Sequence, residues 1–167
     1  MTERTFDPLR ALATLNRHGV RYVLIGGFAG KLHGSPILTV DIDICYGRDP
    51  TNIELLVDAL RDLHPTLRGA PADSPFRLDA MTIRNGDAFT FVTDAGDLDI
   101  LGTPTGTRGY DELARTAVRM DLGDVTVDVA SLDDLIAMKR AAGRPRDRAH
   151  LEVLAALRDE IDRRALG

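Results

Sequence analysis

The sequence predicts an α+β protein in which one sheet is covered by helices, and three observations carry that expectation. Apolar runs alternate with helical spacings at the start, giving a strand-helix-strand-helix opening. The middle reads as an antiparallel meander punctuated by Gly-containing turns, and the chain closes on helices from about residue 131 to 165. A length of 167 residues fits one domain spanning 1–167.

Taken in order, Phe6, Leu9, Leu12, Ala13 and Leu15 have helical spacing, and Asn16-Arg17-His18-Gly19 supplies a stop with glycine at its end. Arg21 to Ile25 forms a strand broken by Gly26-Gly27, and Phe28 to His33 reads as a short helix ended by Gly34 and Pro36. A second strand runs from about Thr39 to Tyr46. Asp49-Pro50-Thr51 caps a helix whose Ile53, Leu56, Val57 and Leu60 share a face, ending near His64-Pro65. Phe76 to Ile83, Ala88 to Thr93 and Leu98 to Leu101 are expected as strands, joined by hairpins at Asn85-Gly86-Asp87 and Asp94-Ala95-Gly96. A link from Gly102 to Gly109 leads to a short helix around Tyr110 to Ala114. A further hairpin pairs Val118 to Leu122 with Val125 to Ala130 across Gly123-Asp124. Ser131 caps a helix carrying Leu135, Ile136 and Met138, with Asp134 as the acid at the third position. The last helix, about Arg146 to Ala165, sets Leu151, Leu154, Ala155, Leu157 and Ile161 at helical spacing.

Aromatics are 5% and Trp is absent, so the core must be built from Leu, Val, Ile and Ala in packed layers. One cysteine, Cys45, excludes an internal disulfide framework, and a reducing cytoplasm is the expected compartment. No leader is expected from Met1 to Thr5, and no run is long enough to cross a membrane. A net charge of −5 argues against a general nucleic-acid coat, which relies on many cationic contacts with phosphate. That average hides a local reversal, since Lys139, Arg140, Arg144, Arg146 and Arg148 stand together against Asp147 alone.

The chemistry begins at Val40-Asp41-Ile42-Asp43-Ile44. Residues i and i+2 of a strand share a face, so Asp41 and Asp43 project together while Ile42 and Ile44 point into a core. The two carboxylates then lie roughly 6 to 7 Å apart, twice the rise per residue. At an effective dielectric of about 20 their repulsion is on the order of 2 to 3 kcal/mol. A cation between them explains such a pair, and hard oxygen donors suit Mg²⁺ or Mn²⁺. Fourteen residues earlier, Gly26-Gly27 sits where strand meets helix, a place where backbone N–H groups receive phosphate and where a Cβ would obstruct its approach. Two-metal phosphoryl or nucleotidyl transfer requires a third acid. Asp99, flanked by Leu98 and Ile100 as Asp43 is by isoleucines, is the candidate, while Asp97 beside Gly96 reads as a turn aspartate.

These motifs resemble the DNA polymerase β-type nucleotidyltransferases, and more narrowly the AbiEii-type toxins of type IV toxin-antitoxin systems that include the MenT enzymes. The likeness spans nearly the whole chain: Ile25-Gly26-Gly27-Phe28-Ala29, Leu32-His33-Gly34, Thr39-Val40-Asp41-Ile42-Asp43 and Leu98-Asp99-Ile100-Leu101. It continues through Ser131 to Lys139 and Arg144 to Leu151. It implies the nucleotidyltransferase fold, a mixed and mostly antiparallel sheet flanked by helices with a helical C-terminus. It also implies that Gly26, Gly27 and Thr39 belong to the nucleotide site, that Asp41 and Asp43 hold both metals, and that Asp99 activates the incoming hydroxyl. Lys139 would neutralise triphosphate charge, and Asp147 would fix Lys139 or an arginine. Where many relatives carry a basic residue two before the motif threonine, this chain has Ile37; Arg48 or Lys31 could substitute. His33 reads as a helix-end histidine without a catalytic part.

The resulting expectation is a Mg²⁺-dependent enzyme that moves a nucleoside monophosphate from a triphosphate to a hydroxyl. The 3′ end of tRNA is the first acceptor, reached through the Lys139 to Arg148 patch, and a cognate antitoxin is the implied partner. The alternatives are a protein hydroxyl, a small molecule of the aminoglycoside type, and a non-catalytic nucleotide-binding regulatory module.

Overall fold

The computed structural model describes residues 5–71 and 73–167. Among the described residues seven strands form one sheet, in the order β3-β4-β5-β2-β1-β7-β6. Helix α1 (Pro8–Arg17) is capped by the Asp7 side chain and stops at His18, before Gly19 at φ +72°. Strand β1 (Tyr22–Ile25) and strand β2 (Asp41–Tyr46) pair antiparallel around helix α2 (Gly26–Leu32). Helix α3 (Pro50–Asp62) begins where Asp49 accepts from the Asn52 N–H, as Asp-Pro at a helix start predicts.

The meander differs from the sequence expectation at its first member. The stretch from Phe76 to Ile83 is not a strand: helix α4 (Ala80–Asn85) occupies its second half, capped by Asp79, whose side chain accepts from Thr82. Gly86 therefore closes a helix, and the Asn85-Gly86-Asp87 hairpin is absent. The strand that precedes β4 (Ala88–Thr93) in the sheet is β3 (Thr66–Leu67), a two-residue ladder. The second hairpin stands as expected, with β4 antiparallel to β5 (Gly96–Leu101) and Thr93 opposite Gly96. Helix α5 (Tyr110–Thr116), the hairpin of β6 (Val118–Asp121) and β7 (Thr126–Val129), helix α6 (Leu132–Ala142) and helix α7 (Asp147–Leu166) complete the order.

Two long-range parallel pairings join these units, β2 to β5 and β1 to β7, and the remaining four are antiparallel. One face of the central strands presents Leu24, Ile42, Ile44, Tyr46, Leu98 and Ile100, each buried. Leu12, Leu15, Leu56 and Leu60 from α1 and α3 join them in one core. The opposite face carries the acids. Helix α2 packs on β1, β2 and α6, and α6 packs on α7, so that face is covered over β1 and β2. Beside Asp99, Ala88 and Thr90 of β4 stay exposed. Among the described residues no helix is long and apolar enough to cross a membrane.

Candidate active site

Parallel pairing of β2 with β5 sets Asp41 opposite Asp97 and Asp43 opposite Asp99. Strand alternation then places all four on one face. One carboxylate oxygen from each of Asp41, Asp43 and Asp99 lies within 4.8 Å of the others, so the third acid chosen from its apolar flanks does converge on the pair. Asp97 corrects the turn reading. It is the second residue of β5, on the acid face, with Oδ2 3.3 Å from Arg68 Nε. Burial, together with the carboxylates of Asp41 and Asp99, pushes the Asp43 carboxyl up to about 8, against an opposing pull from Lys139. Oxygen donors crowded so closely that one resists ionisation are the donor set that Mg²⁺ or Mn²⁺ takes, and a divalent ion would relieve the repulsion. The residues thus fit such an ion.

The turn that feeds α2 is tied to the same acids. Gly26 sits at φ +74°, where L side chains are strained, and a Cβ there would land on the Asp43 carboxylate. A Cβ at Gly27 would lie 3.0 Å from Thr39 Oγ1. The glycines therefore leave room for Asp43 and Thr39, besides exposing backbone at the helix start. Thr39 precedes β2 and donates its hydroxyl to Asp41 Oδ1 at 3.2 Å, which orients that carboxylate.

Across the cleft, α6 is capped by Ser131, whose hydroxyl accepts from Asp134 N–H, and closes on Gly143 in the left-handed conformation. The corner brings Asp147, the first residue of α7 and 3% exposed, against Lys139 Nζ at 3.1 Å and Arg144 Nε at 3.0 Å. Burial opposes the charged carboxylate, but the hydrogen bonds and charges of Lys139 and Arg144 hold its carboxyl below the usual range. Both partners expected for Asp147 are present at once. Lys139, Arg144 and Arg146 line the cleft, whereas Arg140 and Arg148 are exposed outside its lining.

The cleft between these walls measures about 680 Å³, within the range of small-molecule sites. Ile37 lines it. Arg48 does not substitute there, because its guanidinium is bonded to the Tyr46 hydroxyl and the Arg84 carbonyl, and Lys31 is likewise outside the lining. His33 bonds the Ala130 carbonyl at 2.8 Å, a structural part. Two ionisable lining residues were given no part by the sequence reading. His150, one turn beyond Asp147, has its pKa lowered by burial and by Lys139, so its ring favours the neutral form. Arg68 reaches the acids from the loop after β3 and donates to Asp99 Oδ1 at 2.6 Å.

Comparison with known proteins fits this geometry. The family model described as nucleotidyl transferase AbiEii toxin, type IV TA system, matches residues 9–166. Among curated proteins none matches. Solved structures share the fold. Lincosamide antibiotic adenylyltransferase LnuA, in its lincomycin-bound form, aligns with a TM-score of 0.59 at 14% identity, covering 94% of this chain and 98% of its own. A Thermotoga maritima protein assigned as a nucleotidyltransferase aligns with a TM-score of 0.53 at 15% identity, covering 98% and 96%. A family match over almost every residue, on a sheet that converges three carboxylates beside a glycine turn, places the chain: it belongs to the AbiEii nucleotidyltransferase toxin family of type IV toxin-antitoxin systems.

Proposed function

We propose that the protein is a Mg²⁺-dependent toxin that transfers a nucleoside monophosphate to the 3′-terminal hydroxyl of tRNA. The observation that carries this reading is the convergence of Asp99 with Asp41 and Asp43 within 4.8 Å. A divalent ion, held by those three acids, would supply charge neutralisation at the phosphates and acidify the attacking hydroxyl. The triphosphate lies with its β- and γ-phosphates against the start of α2 at Gly26-Gly27 and against Lys139, which Asp147 holds in place. Asp99 receives the proton of the acceptor hydroxyl. The acceptor oxygen then bonds to the α-phosphorus as the bridge to the β-phosphorus breaks, and pyrophosphate leaves. The acceptor enters from the β4 side, where Ala88 and Thr90 leave the acid face open.

An RNA acceptor is supported by the exposed Arg140, Arg146 and Arg148 around the α6–α7 corner, a basic surface in a chain of net charge −5. Membership of a toxin-antitoxin family implies a nucleoside triphosphate as donor and an antitoxin as partner. The test offers each α-labelled triphosphate with Mg²⁺ to the protein, together with deacylated tRNA and total cell protein. The expected result is label in tRNA that a 3′ exonuclease removes, with none from Asp43→Ala. Label in the protein fraction instead would redirect the acceptor to a side-chain hydroxyl, and equal labelling by Asp43→Ala would refute the mechanism.

A further inference from the structure

Arg68 follows the two-residue β3 and is clipped to the sheet by its backbone N–H, which donates to the Thr90 carbonyl at 2.9 Å. From there its side chain crosses to β5. Nη2 donates to Asp99 Oδ1 at 2.6 Å and to the Phe91 carbonyl at 3.2 Å, while Nε lies 3.3 Å from Asp97 Oδ2. The guanidinium thus spans both β5 carboxylates from a fixed backbone, with a hydrogen bond to Asp99 and a charge contact to Asp97, a reach that a lysine ammonium does not reproduce. Its side chain is largely shielded, at 28% exposure. No ion pair within 4 Å involves Asp41 or Asp43 among the described residues: Lys139, which acts on Asp43 at longer range, is bonded to Asp147, and Arg68 acts on Asp41 only at longer range.

The cluster is therefore lopsided. An ion drawn to Asp41 and Asp43 meets two carboxylates without a bonded cation, whereas an ion that uses Asp99 meets one already hydrogen-bonded to a full positive charge. We propose that Arg68 is a built-in counter-cation on the Asp99 side, where it competes with a divalent ion and so makes loading of that side depend on the phosphates of the incoming nucleotide. This rests on the metal-dependent reading above. Arg68 acts here as a positioning residue: it holds Asp99 in line and keeps the four acids together before substrate arrives.

Mn²⁺ alone is the probe, titrated into the full chain without nucleotide and followed by the electron paramagnetic resonance of the free ion. Arg68→Gln is expected to bind Mn²⁺ about tenfold more tightly than wild type, or to take up one ion more per chain, and Asp99→Asn in the same chain is expected to abolish the gain. The metal-free melting temperature of Arg68→Gln falls, and saturating Mn²⁺ restores it to the wild-type value, which a purely structural arginine would not allow. If Arg68→Gln does not fold, Arg68→Lys, which keeps charge but loses the two-carboxylate span, gives a smaller gain in affinity with native stability. Equal or weaker Mn²⁺ binding by the folded Arg68 variants overturns the competition while leaving the metal reading intact. Mn²⁺ binding by wild type that Asp41→Asn leaves unchanged would sink both.

Discussion

Asp43 is the residue about which the site is built, since its carboxylate touches the reason for a glycine at 26 and the reason for an ion. Gly26→Ala combines a left-handed backbone with a Cβ aimed at that carboxylate. It is expected to cost about 1–2 kcal/mol for the backbone alone, read from urea denaturation, and to disturb Mn²⁺ binding as Asp43 turns away. Thr39 acts at one remove, its hydroxyl bonded to Asp41. Thr39→Val keeps shape and removes the bond. A loss of about 10- to 100-fold in Mn²⁺ affinity is expected, the range typical of residues that orient a ligand, and unchanged affinity would reduce Thr39 to packing. Both acids of the Asp-x-Asp strand were legible because alternation fixes their face. Asp97 was misread because a glycine neighbour signals a turn, although the hairpin ends at Gly96 and the ladder already includes Asp97.

At the scale of elements, the α6–α7 corner couples a cap to the cleft. Ser131→Ala removes the α6 cap and is expected to cost about 1 kcal/mol in urea denaturation. Asp147→Ala has a larger effect, because it strips the buried carboxylate from Lys139 and Arg144 together. About 3 kcal/mol is expected, toward the lower end for a broken buried pair since Arg144 can turn to water, along with a raised KM for the triphosphate as Lys139 loses its anchor. A change in stability without one in KM would detach Lys139 from the nucleotide. The capped helices were legible from their Ser and Asp starts. Helix α4 was not, since six residues make under two turns, and Phe76-Arg77-Leu78-Asp79-Ala80 alternates apolar and polar as a strand does. Arg68 was hidden for a different reason: it reaches Asp99 through a two-residue ladder to a strand more than twenty positions away, and no local pattern announces so short a strand.

Over the whole molecule, what the sequence could not supply was strand order, since the parallel pairing of β2 with β5 that unites the acids closes a span of some fifty residues. That pairing puts four carboxylates on one face at the middle of the sheet, and stability must then depend on pH and metal. Asp43 has a folded pKa of about 8, above the usual carboxylate value near 4, so the folded state binds the extra proton between those limits. Its contribution is fully present below about pH 4 and is lost as pH rises through about 8, at a slope of up to about 1.4 kcal/mol per pH unit for one proton. Asp147 acts with the opposite sign. Its lowered pKa gives stability above the usual carboxylate value that is lost as pH falls below it, so acid and neutral losses come from different residues. Metal-free wild type should therefore melt at progressively lower temperature from pH 6.5 to pH 8, above the range in which His150 adds the opposite slope. Saturating Mg²⁺ or Mn²⁺ should flatten the profile, because the bound ion takes the place of the proton. Asp43→Asn should lose the fall toward pH 8 and gain nothing from metal, leaving only the opposite slope of His150, whose lowered pKa costs stability as pH falls below the usual histidine value. A wild-type melting temperature independent of pH across that range would mean that the carboxylates are already relieved, and the case for an ion at their centre would fail with it.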